Sequence, residues 1–374
     1  MSNTARNVLL VAGLVAVAGT AFAARQGIER GPGVLENPVR IGMFADNSGR
    51  QPFLGTVEFK ITNTSSETLR IPYWQLPSGQ INSDVFEIYR GGERVEYTGA
   101  MVKRGAPLDE DMVILQPGET KVVKADLATA YDLSKTGEYD VRFKSYLQNA
   151  STARGIAIAR NNGGLATIES APLRLWVDGA SVVNSLKAGN ASIQAKPAPA
   201  ATCTGGTCYE SCSATRQTQL VTALNSARVY SEDAKNYLNI GTVGARYLTW
   251  FGAYTSGRYG TAKQHFTAID TTLDTKQMTF NCSCTTKNTY AYVYPNQPYR
   301  IYVCGAFWAA PNTGTDSRAG TIIHETSHFD IVANTDDVVY GQAGAKNLAL
   351  TNPTDALRNA DTHEYFGENN PHQN

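Results

Sequence analysis

All six cysteines of this 374-residue chain, Cys203, Cys208, Cys212, Cys282, Cys284 and Cys304, fall within about a hundred residues, and none lies upstream of them. Covalent cross-links can therefore restrain only the C-terminal half, and the chain divides into two differently built parts. The redox compartment is read from the other end. Arg6 precedes an apolar run from Val8 to Ala23 that closes with Ala21-Phe22-Ala23, the pattern of a secretory signal peptide over residues 1–23. The run is shorter than the roughly 20 residues that span a bilayer. An uncleaved signal anchor is the alternative. Export implies oxidised thiols, and an even cysteine count favours three disulfides. A zinc cluster is the rival reading, because Cys282-Ser-Cys284 and the spacing of Cys208 to Cys212 loosely resemble ligand pairs.

With 42% apolar and 18% charged residues the chain can bury a substantial core. Its 33 basic and 33 acidic residues balance, so it carries no global field for a polyanion, and no nucleic-acid partner is expected. Beyond the N-terminal run no stretch approaches membrane length, so no membrane association is expected after signal cleavage.

From about Val39 to Val177 the pattern has period two. Val57, Phe59 and Ile61 alternate with Glu58, Lys60 and Thr62, and Val141 and Phe143 alternate with Asp140 and Arg142. Turn signals at Asn63-Thr-Ser-Ser66, Gly91-Gly92, Gln116-Pro-Gly118 and Thr136-Gly137 have the spacing of an antiparallel sandwich. The expectation over residues 24–180 is an all-β, immunoglobulin-like sandwich. It contains no cluster of His, Cys and carboxylates, and no chemistry is expected in it. Residues 181–207, rich in Ala, Gly, Ser and Pro, read as an exposed linker with a maturation site, which makes the sandwich a candidate propeptide. A retained adhesion module is the alternative.

After the linker the pattern turns helical. Leu220, Leu224, Val229 and Tyr237 predict a helix over 217–238, with further helices over 247–251, 262–269, 318–329, 339–349 and 353–360. Short strands are expected at 278–280, 290–294 and 300–304. Residues 208–374 are thus predicted to form an α+β, mostly helical domain. Its sharpest feature is His324-Glu325-Thr326-Ser327-His328, an HExxH pattern behind Gly320-Thr-Ile-Ile323. Residues four apart share a helix face, so both imidazoles can meet one ion while Glu325 reaches its water. Zinc is the natural occupant, and a catalytic zinc needs a third protein ligand and an open position. No third histidine follows at the longer metzincin spacing; Asp336 and Asp337 are both candidates.

From about Ser211 to the C-terminus the chain resembles the deuterolysin-like aspzincins, and within them the peptidyl-Lys metalloendopeptidases. The resemblance rests on the HExxH helix, Tyr290-Ala-Tyr-Val-Tyr-Pro295, Cys304-Gly-Ala-Phe-Trp308, Thr313-Gly-Thr-Asp-Ser317 and Asn359-Ala-Asp-Thr-His-Glu-Tyr-Phe366. It implies a zincin fold. The family motif Gly-Thr-x-Asp-x-x-Tyr-Gly falls on Asn334 to Gly341, which places the third zinc ligand on Asp337 and the oxyanion-stabilising tyrosine on Tyr340. Asn334 stands where the family has Gly, and Asn is the next best residue for positive φ. The family acids that receive a substrate lysine match Asp361 and Glu364. The resemblance pairs Cys212 with Cys282 and Cys284 with Cys304, which leaves Cys203 and Cys208 to close a local loop.

The activity so implied is hydrolysis on the amino side of lysine in protein or peptide substrates, with one Zn²⁺ per chain, by a secreted enzyme with its own propeptide as partner. Self-cleavage before Lys187 or Lys196 is expected, although Pro197 hinders the second. The segment Ile301 to Phe307 is expected to pair with extended substrate, and Phe307 and Trp308 to belong to the core. Rival readings are a deuterolysin-type endopeptidase without lysine preference and an exported non-enzymatic binding or inhibitory protein.

Overall fold

The computed structural model of the chain describes residues 34–46, 55–77, 79, 81–192 and 201–374. The signal segment, Lys196 and Pro197 lie outside the described residues. The N-terminal part is rich in strands and the C-terminal part in helices.

In the N-terminal part, Thr56–Asn63 runs antiparallel between Val39–Ala45 and Thr120–Asp126. Its alternation places Val57, Phe59 and Ile61 inward. A second sheet is built on the long strand Gly137–Leu147, which pairs with Phe86–Arg90, Ala166–Glu169 and Leu173–Val177. The two sheets meet through aromatic rings, Phe59 lying 5.7 Å from Phe86 and 6.2 Å from Phe143. A third, smaller sheet places Leu69–Pro72 between Ser151–Thr152 and Met112–Leu115. The Gly91-Gly92 turn signal is realised as a tight hairpin, both residues having positive φ (61° and 88°).

The segment expected as a linker is not irregular throughout. Gly179–Ser192 is a helix, and Thr202–Thr204 pairs with Thr207–Glu210. Composition suggested a coil, but the Asp178 carboxylate accepts the Ala180 and Ser181 N–H groups and Val182, Val183 and Leu186 follow, which is enough to start a helix.

Two long helices, Ala214–Ile240 and Ser256–Thr275, carry the C-terminal part. The buried stripe of the first is Leu220, Leu224, Ala227, Ser231, Ala234 and Leu238. Val229, assigned to that face from the sequence, is 64% exposed. Nine residues beyond Leu220 it lies about half a turn round the helix, and the stripe continues through small residues instead. Three disulfides close this part: Cys203–Cys208, Cys212–Cys282 and Cys284–Cys304. No described helix is long and apolar enough to cross a membrane.

One sheet joins the two parts of the chain. Its order is Thr202–Thr204, Thr207–Glu210, Met278–Asn281, Arg300–Val303, Thr289–Val293 and, at the far edge, Met101–Arg104 from the N-terminal part. The edge that accepts an extended partner is therefore Thr289–Val293. Arg300–Val303, expected in that role, is enclosed between two neighbours, because the chain returns from Thr289–Val293 to pair inside it. Phe307 is buried and Trp308 half-buried against the core.

Candidate metal centre

The helix Arg318–Ser327 carries the HExxH residues and is pinned at its start. Ser317 caps it, its hydroxyl accepting the Gly320 N–H at 2.9 Å, while the Glu368 carboxylate accepts the Ser317 N–H (2.8 Å) and hydroxyl (2.7 Å). Gly320 lets the helix lie close against Glu368, since a β-carbon there would lie 2.2 Å from Glu368 Oε1 and would force that side chain to shift. This fixes the rotation of the helix, and with it the direction of the two imidazoles.

His324 and His328 are fully buried, and Asp337 meets them from the loop beyond the helix. Asp337 Oδ1 lies 3.1 Å from His324 Nε2 and 3.4 Å from His328 Nε2. His328 is oriented by donating Nδ1–H to the Thr335 carbonyl at 2.7 Å, which turns Nε2 toward Asp337. The loop that supplies Thr335 and Asp337 turns at Asn334, which has φ of 48°, the left-handed conformation expected where the family has glycine. It is then held by Asn359, whose Oδ1 accepts the Val338 and Val339 N–H groups, both at 3.0 Å. Of the two candidate acids, Asp336 pairs with Arg358 and Asp337 faces the histidines.

The donor set suits a zinc-class ion. Two imidazole nitrogens and one carboxylate oxygen lie within 4.8 Å of one another. His328 Nε2 and both carboxylate oxygens of Glu325 are buried with no hydrogen-bond partner among the described residues. Such orphaned groups are costly unless a ligand or water meets them. Burial pushes the Glu325 carboxyl well above its ordinary value, while His328 and His324 outweigh burial and hold Asp337 well below its own.

A second cluster adjoins the first. Asp361 Oδ1 and Glu364 Oε2 lie 2.8 Å and 3.3 Å from His324 Nδ1, on the far side of the same ring. Both acids lie on the helix Ala360–Glu368 and are buried. The cation between them is the ammonium of Lys103, 2.7 Å from Glu364, 3.6 Å from Asp361 and 3.5 Å from Asp316. Lys103 is 1% exposed. Burial alone would lower its pKa, but the three carboxylates outweigh burial and raise it. Its neighbour Val102 donates its N–H to Asp337 Oδ2 at 2.6 Å and accepts the Tyr340 hydroxyl at 2.9 Å.

The sequence-selected residues His324, Glu325, His328, Asp337, Tyr340, Asp361 and Glu364 thus lie in one contiguous site. Sequence reasoning missed Val102, Lys103, Asp316 and Asn359. The N-terminal part, for which the sequence suggested no chemistry, supplies Lys103 to the acid cluster. Met101-Val-Lys-Arg104 reads locally as an ordinary half-buried strand with solvated basic residues, and only pairing with Thr289–Val293 puts Lys103 inside.

A family model described as lysine-specific metallo-endopeptidase matches residues 238–368. An extracellular protease of Aeromonas hydrophila is 42% identical over 320 residues, 85% of this chain and 89% of that protein. A peptidyl-Lys metalloendopeptidase of Grifola frondosa is 36% identical over 324 residues, 84% of this chain and 87% of that protein. A solved zinc peptidase from Grifola frondosa is 48% identical and covers 44% of this chain and 100% of its own, with a TM-score of 0.43.

Proposed function

The chain belongs to the aspzincin family of metalloendopeptidases, and from that premise we propose that it is a secreted zinc enzyme hydrolysing peptide bonds on the amino side of lysine. The observation that carries this reading is the adjacency of two clusters on one imidazole: the His324, His328 and Asp337 donors on one face, and the acid pair Asp361 and Glu364 on the other. A lysine held by the acids brings its own peptide bond to the metal donors.

His324, His328 and Asp337 would hold the ion, which supplies Lewis acidity and lowers the pKa of water at the site. Glu325, dehydrated and raised in pKa, is suited to take a proton from the attacking water and return it to the departing lysine amine. Tyr340 presents its hydroxyl to the carbonyl oxygen as negative charge builds there. Asp361 and Glu364 favour a compact ammonium over a planar guanidinium. In this reading residues 1–23 are a signal peptide and residues 24–180 an immunoglobulin-like propeptide removed by cleavage before Lys187 or Lys196. Residues 208–374 are the mostly helical catalytic domain.

Zinc content and hydrolysis measured together test the proposal. The processed protein is expected to bind one zinc and to lose casein hydrolysis on chelation, with recovery on adding zinc. Glu325→Gln is expected to keep the metal and lose about 10³-fold or more in kcat. Hydrolysis that survives either treatment contradicts the reading, and an inactive wild type after processing favours a non-enzymatic binding protein.

A further inference from the structure

From Ala201 onward the chain has five lysines, Lys235, Lys263, Lys276, Lys287 and Lys346. A second copy of the enzyme can cut before one of them only where the backbone can extend along a sheet edge. Helices hold three: Lys235 lies within Ala214–Ile240, Lys263 within Ser256–Thr275 and Lys346 within Gly341–Thr351. Lys276 caps a helix, and the N–H of its Thr275–Lys276 bond donates to the Thr272 carbonyl at 3.0 Å. Lys287 differs from all four. It lies in the irregular connection between Met278–Asn281 and Thr289–Val293, where Thr285, Thr286 and Lys287 are exposed. Neither its N–H nor its ammonium has a hydrogen-bond partner among the described residues, and the Thr286 carbonyl accepts a single bond, from the Gly305 N–H at 2.9 Å. Exposed loop tips of this kind are the usual places of proteolytic nicking. Two restraints act on either side of the bond. Downstream, Asn288 is tied to the N-terminal part: its carbonyl accepts the Gly105 N–H at 2.9 Å and its side chain donates to the Ala106 carbonyl at 2.7 Å. Upstream, Cys284 is fixed to Cys304. Removing the N-terminal part releases the first restraint and leaves the second.

We propose that Thr286–Lys287 is a self-cleavage site, cut by a second copy of the processed enzyme once the N-terminal part has left, and that Cys284–Cys304 slows the cut and then holds the pieces together. This rests on the proposed preference for lysine on the carboxyl side of the cut. In the step, water adds its hydroxyl to the Thr286 carbonyl carbon and its proton to the Lys287 nitrogen as the bond between them breaks. The cut falls inside the interval closed by Cys284–Cys304, which are 20 residues apart, so the product is a two-chain molecule. It severs the covalent link just upstream of Thr289–Val293, the strand that offers the substrate edge.

The full-length chain with Glu325→Gln, which does not cut itself, serves as substrate for a trace of processed wild-type enzyme, followed by electrophoresis with and without reductant. Loss of the N-terminal part is expected first. A fragment beginning Lys287-Asn-Thr-Tyr290 should follow, released only under reduction. Lys287→Gln should abolish that fragment and leave the first cut unchanged. Replacing Cys284 and Cys304 together by Ala should speed the second cut by about tenfold or more, because opening of the loop is no longer opposed by the cross-link. Lys276 and Lys346 should stay uncut in that variant, which reports an intact fold. A processed chain that remains whole under reduction overturns the proposal. So does a cut before Lys276 or Lys346 in preference to Lys287, a nick that precedes loss of the N-terminal part, or an equal rate without the cross-link. Trace enzyme that cuts casein without regard to lysine instead defeats the functional reading. Casein cut before lysine, with Thr286–Lys287 intact, defeats only the self-cleavage site.

Discussion

Asp336 and Asp337 are neighbours in sequence with different surroundings. Asp336 is tied to Arg358 and its backbone to Asn359, whereas Asp337 turns to the two imidazoles. Replacing Asp337 by Ala should lower zinc affinity, measured by chelator competition, by more than the about 10–100-fold typical of losing an outer partner; Asp336→Asn should cost less than that. Equal losses would mean that the loop shares the ligand role. A second residue-scale prediction concerns pH. His265 Nδ1 lies 2.9 Å from His363 Nε2, and burial lowers His265 to about 4 and holds His363 well below its ordinary value. A depressed pKa contributes stability that is present above the unfolded value of 6.5 and is lost as pH falls through the folded value near 4. Denaturant midpoints should therefore fall between pH 6.5 and 4, and His265→Gln should flatten that fall. An unchanged slope in the variant would remove the pair from the account.

At the scale of elements, the sequence was legible wherever the signal was local. The helix Arg318–Ser327 follows from its apolar spacing, and its HExxH residues need no reference to anything distant. Val229 shows the limit: a valine near the right spacing outweighed the small residues that form the stripe. The role of Gly320 was also hidden, because it depends on Glu368 far along the chain. Gly320→Ala should cost about 1–3 kcal/mol in unfolding free energy, the usual penalty for overpacking, and should weaken zinc binding by turning the helix. A fully stable variant would show that Glu368 yields easily. The disulfides make a graded prediction. Cys212–Cys282 spans 70 residues and Cys203–Cys208 only 5. By chain entropy, removing the first should cost about 4 kcal/mol and the second about 2 kcal/mol. Equal costs would point to native-state packing instead.

Over the whole molecule, what sequence reading could not reach was long-range pairing. The period-two pattern correctly marked strands in the N-terminal part, but nothing in Met101-Val-Lys-Arg104 distinguishes it from strands such as Thr120–Asp126, whose lysines stay outside. Its partner lies nearly two hundred residues downstream, across a change of architecture. The expected substrate edge failed for the same reason, since strand order in a mixed sheet is set by crossovers rather than by the strands' own residues. The two histidines of the proposed ligand set were legible from the HExxH pattern on one helical turn, whereas choosing Asp337 over Asp336 took the family likeness. The proposed lysine pocket was suggested only by family likeness, because two acids three residues apart on a helix, Asp361 and Glu364, otherwise read as an ordinary solvated face. The most direct measurement of the central claim is the mapping of product termini after the processed enzyme digests a denatured protein mixture. Lysine should stand at nearly every new amino terminus, and the Asp361→Asn, Glu364→Gln double variant should lose that preference while retaining zinc. New termini without lysine enrichment, or selectivity that survives the double substitution, would contradict the account.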